Sequence, residues 1–363
     1  MEPGERLIRC LLGQSVDRIP FGIGLGWGPW GETLERWRAE TIRPDLDPAA
    51  ELGFDRSFAV PEVHPGLFPP FTPEILDQDD RFVVHRDAMG IVRRDRRDGH
   101  SMPEFLRHPV GTADDWAILK EERLAIETPG RIPQNWEAFR ARIRSTGEAV
   151  QVGWFPYGVF GTVRDLMGVE ALMVALYDEP DLISEIMEHL TTLWIALWDR
   201  VADEAPVGHL HIWEDMSGRD GPLISPIMIR RFMGPCYERL AAWAAARGVR
   251  IVSVDTDGDC ALLVPIFMDL GVNMMFPFEV QAGNDIEGYR ARYPTMGIIG
   301  GLDKRALALG QKEIDVEVAR AERMIRHGRY IPAFDHLIPP DVPWANFAYA
   351  AERMAQVCGV RSA

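Results

Sequence analysis

Acidic side chains follow five predicted β-strands in the second half of the 363-residue chain. They are Glu214 and Asp215; Asp255, Asp257 and Asp259; Glu279; Asp303 with Lys304; and Asp335 with His336. Carboxylates that converge on one site repel one another, so a cation, bound protons or backbone amides must relieve the repulsion. A divalent metal with a nitrogen ligand from His336 is one solution, and partial protonation for acid–base catalysis is another. Capping of the helices that follow the strands is the alternative without a catalytic role.

The elements that must position these carboxylates form an alternating series of strands and helices. Apolar runs predict strands at 20–25, 53–62, 149–155, 209–213, 250–255, 272–279, 296–301 and 329–334. Helical periodicity separates the later strands, and Ser225 followed by Pro226 is typical of a helix start. These units predict a single α/β domain over residues 1–363, a parallel (β/α)8 TIM-type barrel with catalytic groups at the carboxyl ends of its strands. An N-terminal helix over 1–15 and an inserted β-hairpin over 82–95 complete the predicted fold.

Aromatic and histidine side chains supply further candidates for the site. The glycine-rich stretch 22–30 predicts an open loop in which Trp27 and Trp30 form a substrate wall. His209 and His211 alternate on one predicted strand and therefore share a face. If this face points inward, the two histidines are candidate ligands or acid–base groups; if it points outward, they contact helices.

Charge and composition exclude several classes of function. The net charge of −16 disfavours nucleic acid and anionic membrane surfaces as partners, so a small-molecule substrate is expected. The four cysteines are scattered, which argues against a disulfide framework and a zinc finger. No HExxH motif occurs, so zincins are not favoured, and no GK[ST] follows the spread-out glycines of 22–31, so a phosphate-binding loop is not favoured there. Nicotinamide oxidoreductases are not a leading hypothesis either. The charged, amphipathic N-terminus has no apolar signal core, and a cytoplasmic location is expected.

Long runs in the C-terminal half resemble the uroporphyrinogen decarboxylase superfamily. They include WEDMSGRDGPLISP from residue 213, VDTDGDCALLVP from 254, IIGGLDKRALALG from 298 and IPAFDHLIPP from 331. The opening RLIRCLLGQSVDRIPFG is similar to the N-terminal helix and first strand of that family. The resemblance implies a (β/α)8 barrel with its cleft at the strand carboxyl ends. It also implies one of two chemistries: metal-free decarboxylation of tetrapyrroles, or methyl transfer involving a corrinoid protein and a thiol-activating zinc.

Two departures from the family pattern affect the expected chemistry. The stretch GLGWGPWGE (24–32) has no arginine where decarboxylases of this family carry an arginine-rich loop for substrate carboxylates. The run Asp255-Thr256-Asp257-Gly258 stands where the methyltransferases show His-x-Cys-Gly, and His336 stands near their late cysteine. By this resemblance, Asp255, Asp257 and His336 are the predicted ligands of a divalent metal, with zinc as the first choice.

The preferred hypothesis is the demethylase component of a corrinoid-linked methyltransferase, acting on a small methoxylated or methylated compound, with the corrinoid carried by a separate protein. The predicted catalytic residues are Glu214, Glu279 and Asp255, and the predicted substrate-binding residues are Trp27, Trp30, His211 and Asp303. Glu214 or Glu279 would protonate the leaving group. A carboxy-lyase acting on a tetrapyrrole or another carboxylic acid, with Asp255 or Asp257 as a metal-free acid–base group, is the enzymatic alternative. A non-catalytic corrinoid- or tetrapyrrole-binding barrel is the other alternative, and the resemblance makes a homodimer plausible.

Overall fold

The computed structural model describes residues 1–97 and 103–360 and contains twelve β-strands within those ranges. They are β1 (Glu74–Gln78), β2 (Phe82–Arg86), β3 (Val92–Arg96), β4 (Glu104–Arg107), β5 (Val150–Val152), β6 (Val207–Trp213), β7 (Ser217–Gly218), β8 (Gly221–Pro222), β9 (Ile251–Thr256), β10 (Met274–Pro277), β11 (Gly297–Ile299) and β12 (Tyr330–Ile331). Six of them form a parallel sheet in the order β12-β11-β10-β9-β6-β5. Consecutive strands along the chain are neighbours in this sheet, as expected for repeated βαβ units.

Fifteen α-helices lie in the same described ranges, and most of them follow or precede strands of the parallel sheet. They are α1 (Pro3–Leu11), α2 (Gly31–Thr41), α3 (Pro48–Glu51), α4 (Ala113–Arg123), α5 (Glu137–Thr146), α6 (Gly161–Met167), α7 (Val169–Asp178), α8 (Pro180–Glu204), α9 (Pro226–Met228), α10 (Gly234–Ala246), α11 (Leu263–Asp269), α12 (Ile286–Arg292), α13 (Ala306–Leu309), α14 (Gln311–His327) and α15 (Trp344–Val357). A π-helical turn, Ile229–Met233, joins α9 to α10. The predicted start of this helix is confirmed, because the Met228 amide donates to the Ser225 hydroxyl at 3.3 Å. None of the described helices is long and apolar enough to cross a membrane.

The parallel sheet confirms the predicted α/β class and contains six of the eight predicted strands. The segment predicted as a strand at 53–62 contributes only one parallel bridge, from Ala59 to Val150 at the sheet edge. The segment predicted at 20–25 does not pair as a strand, because Gly22 and Gly24 take positive φ values of 73° and 103°. Its Phe21 carbonyl still accepts the Asp55 amide at 2.8 Å, so the two segments lie side by side. Within the described residues, no continuous ladder of hydrogen bonds closes the sheet on itself.

The hairpin predicted over 82–95 is confirmed and belongs to a larger antiparallel sheet, β1-β2-β3-β4. Its central pair runs from Phe82 opposite Arg96 to Arg86 opposite Val92. The outer strands β1 and β4 were not predicted from the sequence. Every residue in them is exposed, so neither strand has one buried apolar face and one polar face. Helix α2 was also not predicted from the sequence.

The hydrophobic core lies between the parallel sheet and the helices that cover it. The long helix α8 illustrates why the sequence folds in this way. Ile183, Ile186, Leu190, Leu193 and Leu197 recur at intervals of three and four residues and are fully buried. An apolar stripe of this spacing covers one face of a helix, and α8 packs against α6, α7 and α10.

Candidate active site

Side chains from three neighbouring strands form two rows on one face of the parallel sheet. In the upper row, Asp255 on β9 pairs in register with Trp213 on β6 and with Phe276 on β10. In the lower row, His211 on β6 pairs with Ser253 on β9. The His211 and Phe276 rings stack across the intervening strand, with centroids 5.3 Å apart. An acid and an imidazole therefore lie among aromatic rings at the carboxyl ends of the strands, and we call the space in front of the upper row the cleft.

The Asp255 side chain is the acid of the upper row. No hydrogen bond from a described residue reaches its carboxyl oxygens, and neither oxygen belongs to the fully enclosed atoms without a partner. Burial raises the pKa of this carboxyl well above its usual value, and the nearby charges of Asp257 and Asp215 raise it further. An acid whose pKa is raised keeps its proton to higher pH than a free aspartic acid does, and it can donate that proton to a group bound in the cleft.

Asp257, His336 and Trp30 form a contact group beside the cleft. Asp257 Oδ2 lies 3.5 Å from His336 Nε2, and the Asp257 carboxylate raises the pKa of the His336 imidazole. The His336 ring stacks on Trp30 with centroids 5.8 Å apart. Trp30 reaches this place because its amide donates to the Ile338 carbonyl at 3.1 Å. With 48% of its surface exposed, Trp30 remains available to a ligand, and its role in a substrate wall stays a prediction.

The predicted metal site is only partly assembled. Asp257 and His336 meet, but the part of the chain that the structure describes contains no cluster of three His, Cys, Asp or Glu side chains able to hold a metal ion. The three predicted ligands therefore do not fit a bound metal in this arrangement. Zinc or another divalent metal stays a prediction from the resemblance.

Glu279 lines a pocket of about 420 Å³ next to Asp257. Its carboxylate accepts the Gly258 amide at 3.1 Å and lies 3.7 Å from the Lys304 ammonium. The same ammonium lies 3.4 Å from Asp335, which is fully buried. Glu279 therefore lies beside Asp257 as part of a charged network rather than as a free acid, and its catalytic role stays a prediction.

Asp303 is engaged in an ion pair that limits its predicted role in substrate binding. Arg305 donates to both of its carboxylate oxygens, with distances of 2.7 Å and 2.9 Å. Arg305 in turn lines the same pocket as Asp257 and Glu279, as does Arg219. Asp303 therefore positions a pocket arginine, and its own carboxylate does not face the cleft freely.

Glu214 does not lie where a proton donor is needed, contrary to the prediction. Its side chain is fully buried and accepts four hydrogen bonds, from the backbone amides of Val159, Phe160 and Gly161 at 2.7–3.1 Å and from the Tyr237 hydroxyl at 2.6 Å. A glycine at 158 permits this contact, because a Cβ there would lie 1.7 Å from the Trp213 carbonyl oxygen. Glu214 anchors the loop before α6 to the end of β6, which is a structural role.

Trp27 also lies away from the cleft, contrary to the prediction of a substrate wall. Only 3% of its surface is exposed, and its ring packs against Phe21, Phe54, Phe334 and Phe347. Its indole N–H donates to the Pro332 carbonyl at 2.9 Å. The sequence could not separate the two tryptophans, since both stand in the same glycine-rich loop.

Three residues of the two rows were not among the sequence candidates: Trp213, Ser253 and Phe276. The signal that identifies Ser253 was present in the sequence, because it stands two residues before Asp255 and so shares its face of β9. Trp213 and Phe276 become visible only from the strand register, which the sequence does not supply.

Comparison with known proteins agrees with this architecture. The family model of uroporphyrinogen decarboxylase (URO-D) matches residues 81–357, which is well over half of the chain. Among solved structures, the chain resembles a methyltransferase from Methanosarcina mazei, with a TM-score of 0.58 and 17% identity over 98% of this chain and 99% of that chain. At this identity the likeness establishes the fold, which in this family is a TIM barrel. No curated protein sequence matches the chain. The chain belongs to the uroporphyrinogen decarboxylase family.

Proposed function

We propose that this protein is a methyltransferase that removes the methyl group of a small methoxylated or methylated compound, with Asp255 as the proton donor. The observation that carries the proposal is the position of the Asp255 carboxyl group, which lies at the strand ends between Trp213 and Phe276 and accepts no hydrogen bond from a described residue. The full-length likeness to a methyltransferase supports the choice of reaction, since both chains are matched almost end to end.

The chemistry that this site supports is assistance to a poor leaving group. When the methyl group passes to its acceptor, the bond between carbon and oxygen breaks and its electron pair stays on oxygen. Asp255 donates its proton to that oxygen, so that the product leaves as a neutral alcohol, and the carboxylate regains a proton from water. Trp213 and Phe276 flank the acid in register and provide apolar contact to the substrate body. The resemblance suggests a corrinoid on a separate protein as the methyl acceptor.

The experiment is a methyl-transfer assay on wild-type protein and the Asp255→Asn variant. A panel of methoxylated and methylated compounds is incubated with reduced cobalamin, whose methylation is followed by its absorption spectrum. We expect transfer from at least one compound and a loss of about 10²–10⁴-fold in rate for Asp255→Asn, the usual contribution of a general acid. Asp269→Asn, at the exposed end of α11, is the matched control and should retain the wild-type rate.

A wild-type rate in Asp255→Asn would contradict the role of this acid, and no transfer from any compound would contradict the reaction. The second candidate function is then a carboxy-lyase, favoured by the family of the chain. A buried acid also suits that reaction, because the carbanion left after loss of CO₂ needs a proton. Release of CO₂ from a panel of carboxylic acids, tetrapyrroles included, distinguishes the two reactions.

A further inference from the structure

A serine hydroxyl links two neutral histidines beneath the cleft. Ser253 Oγ lies 2.7 Å from His209 Nε2 and 3.1 Å from His211 Nδ1. All three residues are buried, with 2% of His209 and 6% of His211 exposed. Burial lowers the pKa of His211 to about 4 and holds the pKa of His209 well below its usual value. Each imidazole is therefore neutral at pH 7 and carries one N–H group.

The hydroxyl group restricts where these two protons can lie. A serine hydroxyl has one hydrogen and two acceptor lone pairs. Among the described residues the two imidazoles are its only hydrogen-bond partners, so it donates its hydrogen to one histidine and accepts from the other. In the first arrangement, His209 Nε2–H donates to Ser253 and the hydroxyl donates to His211 Nδ1, which places the His211 proton on Nε2. In the second arrangement, both directions are reversed, and the His209 proton lies on Nδ1.

The surroundings of the two outer nitrogen atoms decide between these arrangements. His209 Nδ1 is enclosed and has no hydrogen-bond partner among the described residues. The second arrangement would place an N–H donor at that atom with no acceptor, which folded proteins rarely tolerate. His211 Nε2 also has no protein partner within the described ranges, but it does not belong to the fully enclosed atoms. A water molecule or a ligand can therefore accept from it, which favours the first arrangement.

We propose that Ser253 fixes the tautomer of His211, so that His211 Nε2–H is a hydrogen-bond donor to an oxygen atom of the bound substrate. His211 and Asp255 lie on the same face of adjacent strands, one row apart. Their two donors can therefore meet at one acceptor atom. That this atom is the oxygen losing its methyl group rests on the proposed function, whereas the tautomer does not.

This arrangement also selects a class of substrate. Beside the Asp255 carboxyl group, the two rows hold the His211 imidazole, which is neutral at pH 7, and the rings of Trp213 and Phe276. Neither the imidazole nor the two rings offer a charge to compensate a charged group at the reacting centre. The substrate that fits is neutral at this end, with an ether or hydroxyl oxygen attached to a flat apolar body, as in a methoxylated aromatic compound. His211 would bind this oxygen, and Ser253 and His209 act as positioning residues.

The test is a nitrogen-15 NMR spectrum of the histidine side chains in the full chain at pH 7. The His211 signals are assigned by their loss in His211→Gln. We expect the Nδ1 shift of an unprotonated ring nitrogen and the Nε2 shift of a protonated one. A spectrum with the proton on Nδ1 would overturn the proposal, whatever the methyl-transfer assay shows.

Substitution of the serine provides the second arm of the test. Within the described ranges Ser253 is the one hydrogen-bond partner of His211 Nδ1, so in Ser253→Ala both His211 nitrogen signals should move toward the average of the two tautomers. Thr191→Val removes a buried hydroxyl from α8, away from the cleft, and should leave the His211 signals in place. Unchanged His211 signals in Ser253→Ala would also overturn the proposal. If the NMR spectra show the expected His211 tautomer but the assay detects no methyl transfer, the role of His211 as a hydrogen-bond donor stands and the proposed reaction is wrong.

Discussion

Glu214 and Asp255 are acidic residues at the ends of adjacent strands, yet their surroundings differ. Four donors surround the Glu214 carboxylate, whereas no donor from the described residues reaches Asp255. The sequence places both at strand ends, but it does not show the contacts of either, because the partners of Glu214 come from the 159–161 loop and from Tyr237 on α10. Individual positions of carboxylates were therefore predictable, and their protonation and roles were not.

Replacement of Glu214 by glutamine should destabilise the protein. The glutamine side chain has one oxygen that accepts and one NH2 group that only donates. At least one of the buried backbone amides around residue 214 therefore loses its hydrogen-bond acceptor. We expect the free energy of unfolding to fall by about 2–4 kcal/mol. Urea-induced unfolding measures this change.

The matched control for that variant is Glu238→Gln on α10, where the side chain is exposed. A surface substitution of this kind should change the free energy of unfolding by less than about 0.5 kcal/mol. Equal stability of the Glu214→Gln variant and wild type would refute the anchoring role and reopen the prediction that Glu214 is a proton donor.

At the scale of elements, the loop before α2 divides two tryptophans between the core and the cleft. Gly26 allows this, because a Cβ at that position would lie 1.8 Å from the Phe334 carbonyl oxygen. Because the backbone at Gly26 contacts the backbone at Phe334, the Trp27 ring lies in the hydrophobic core, and Trp30 lies at the surface, stacked on His336. Sequence periodicity cannot predict such a division, since the loop has no regular repeat.

Alanine substitutions at these two positions should separate packing from ligand contact. Trp27→Ala should lower the free energy of unfolding by about 3–5 kcal/mol, the usual cost of removing a buried aromatic side chain. Trp30→Ala should lower it by less than about 1 kcal/mol, because 48% of that side chain is already exposed. Thermal or urea unfolding of both variants measures the difference, and comparable losses in the two would contradict the division.

At the scale of the whole molecule, the order of strands and helices was the most predictable feature. The alternation of apolar strands and periodic helices after residue 148 predicted the parallel sheet, and the long runs predicted the family. The conformations of the first two predicted strands, 20–25 and 53–62, could not be predicted, because their glycines and prolines permit conformations that only packing selects. The same limit applies to the site, where register between β6, β9 and β10 brings together residues distant in sequence.

Two arginines line a pocket beside the cleft, although the protein as a whole is strongly acidic. The chain has a net charge of −16, yet Arg219 and Arg305 line the pocket beside Asp257 and Glu279. The bidentate bonds between Arg305 and Asp303 leave little cationic charge for a polyanionic substrate. This balance agrees better with a small substrate than with a tetrapyrrole carrying many carboxylates. The corrinoid partner and the homodimer stay predictions.

The central hypothesis is that Asp255 is protonated at neutral pH. Because its pKa is raised on folding, the protonated form is stabilised in the folded protein. The resulting contribution to stability is complete at pH values below the unfolded pKa and is lost as the pH rises through the folded pKa. Activity that depends on the acid should fall over the same rise.

The most direct measurement is the infrared difference spectrum between wild-type protein and Asp255→Asn at pH 7. We expect the C=O stretching band of a protonated carboxylic acid in the wild type, absent from the variant and lost from the wild type as the pH rises. A difference spectrum that shows only carboxylate bands at pH 7 would contradict the account, because an ionised Asp255 has no proton to donate.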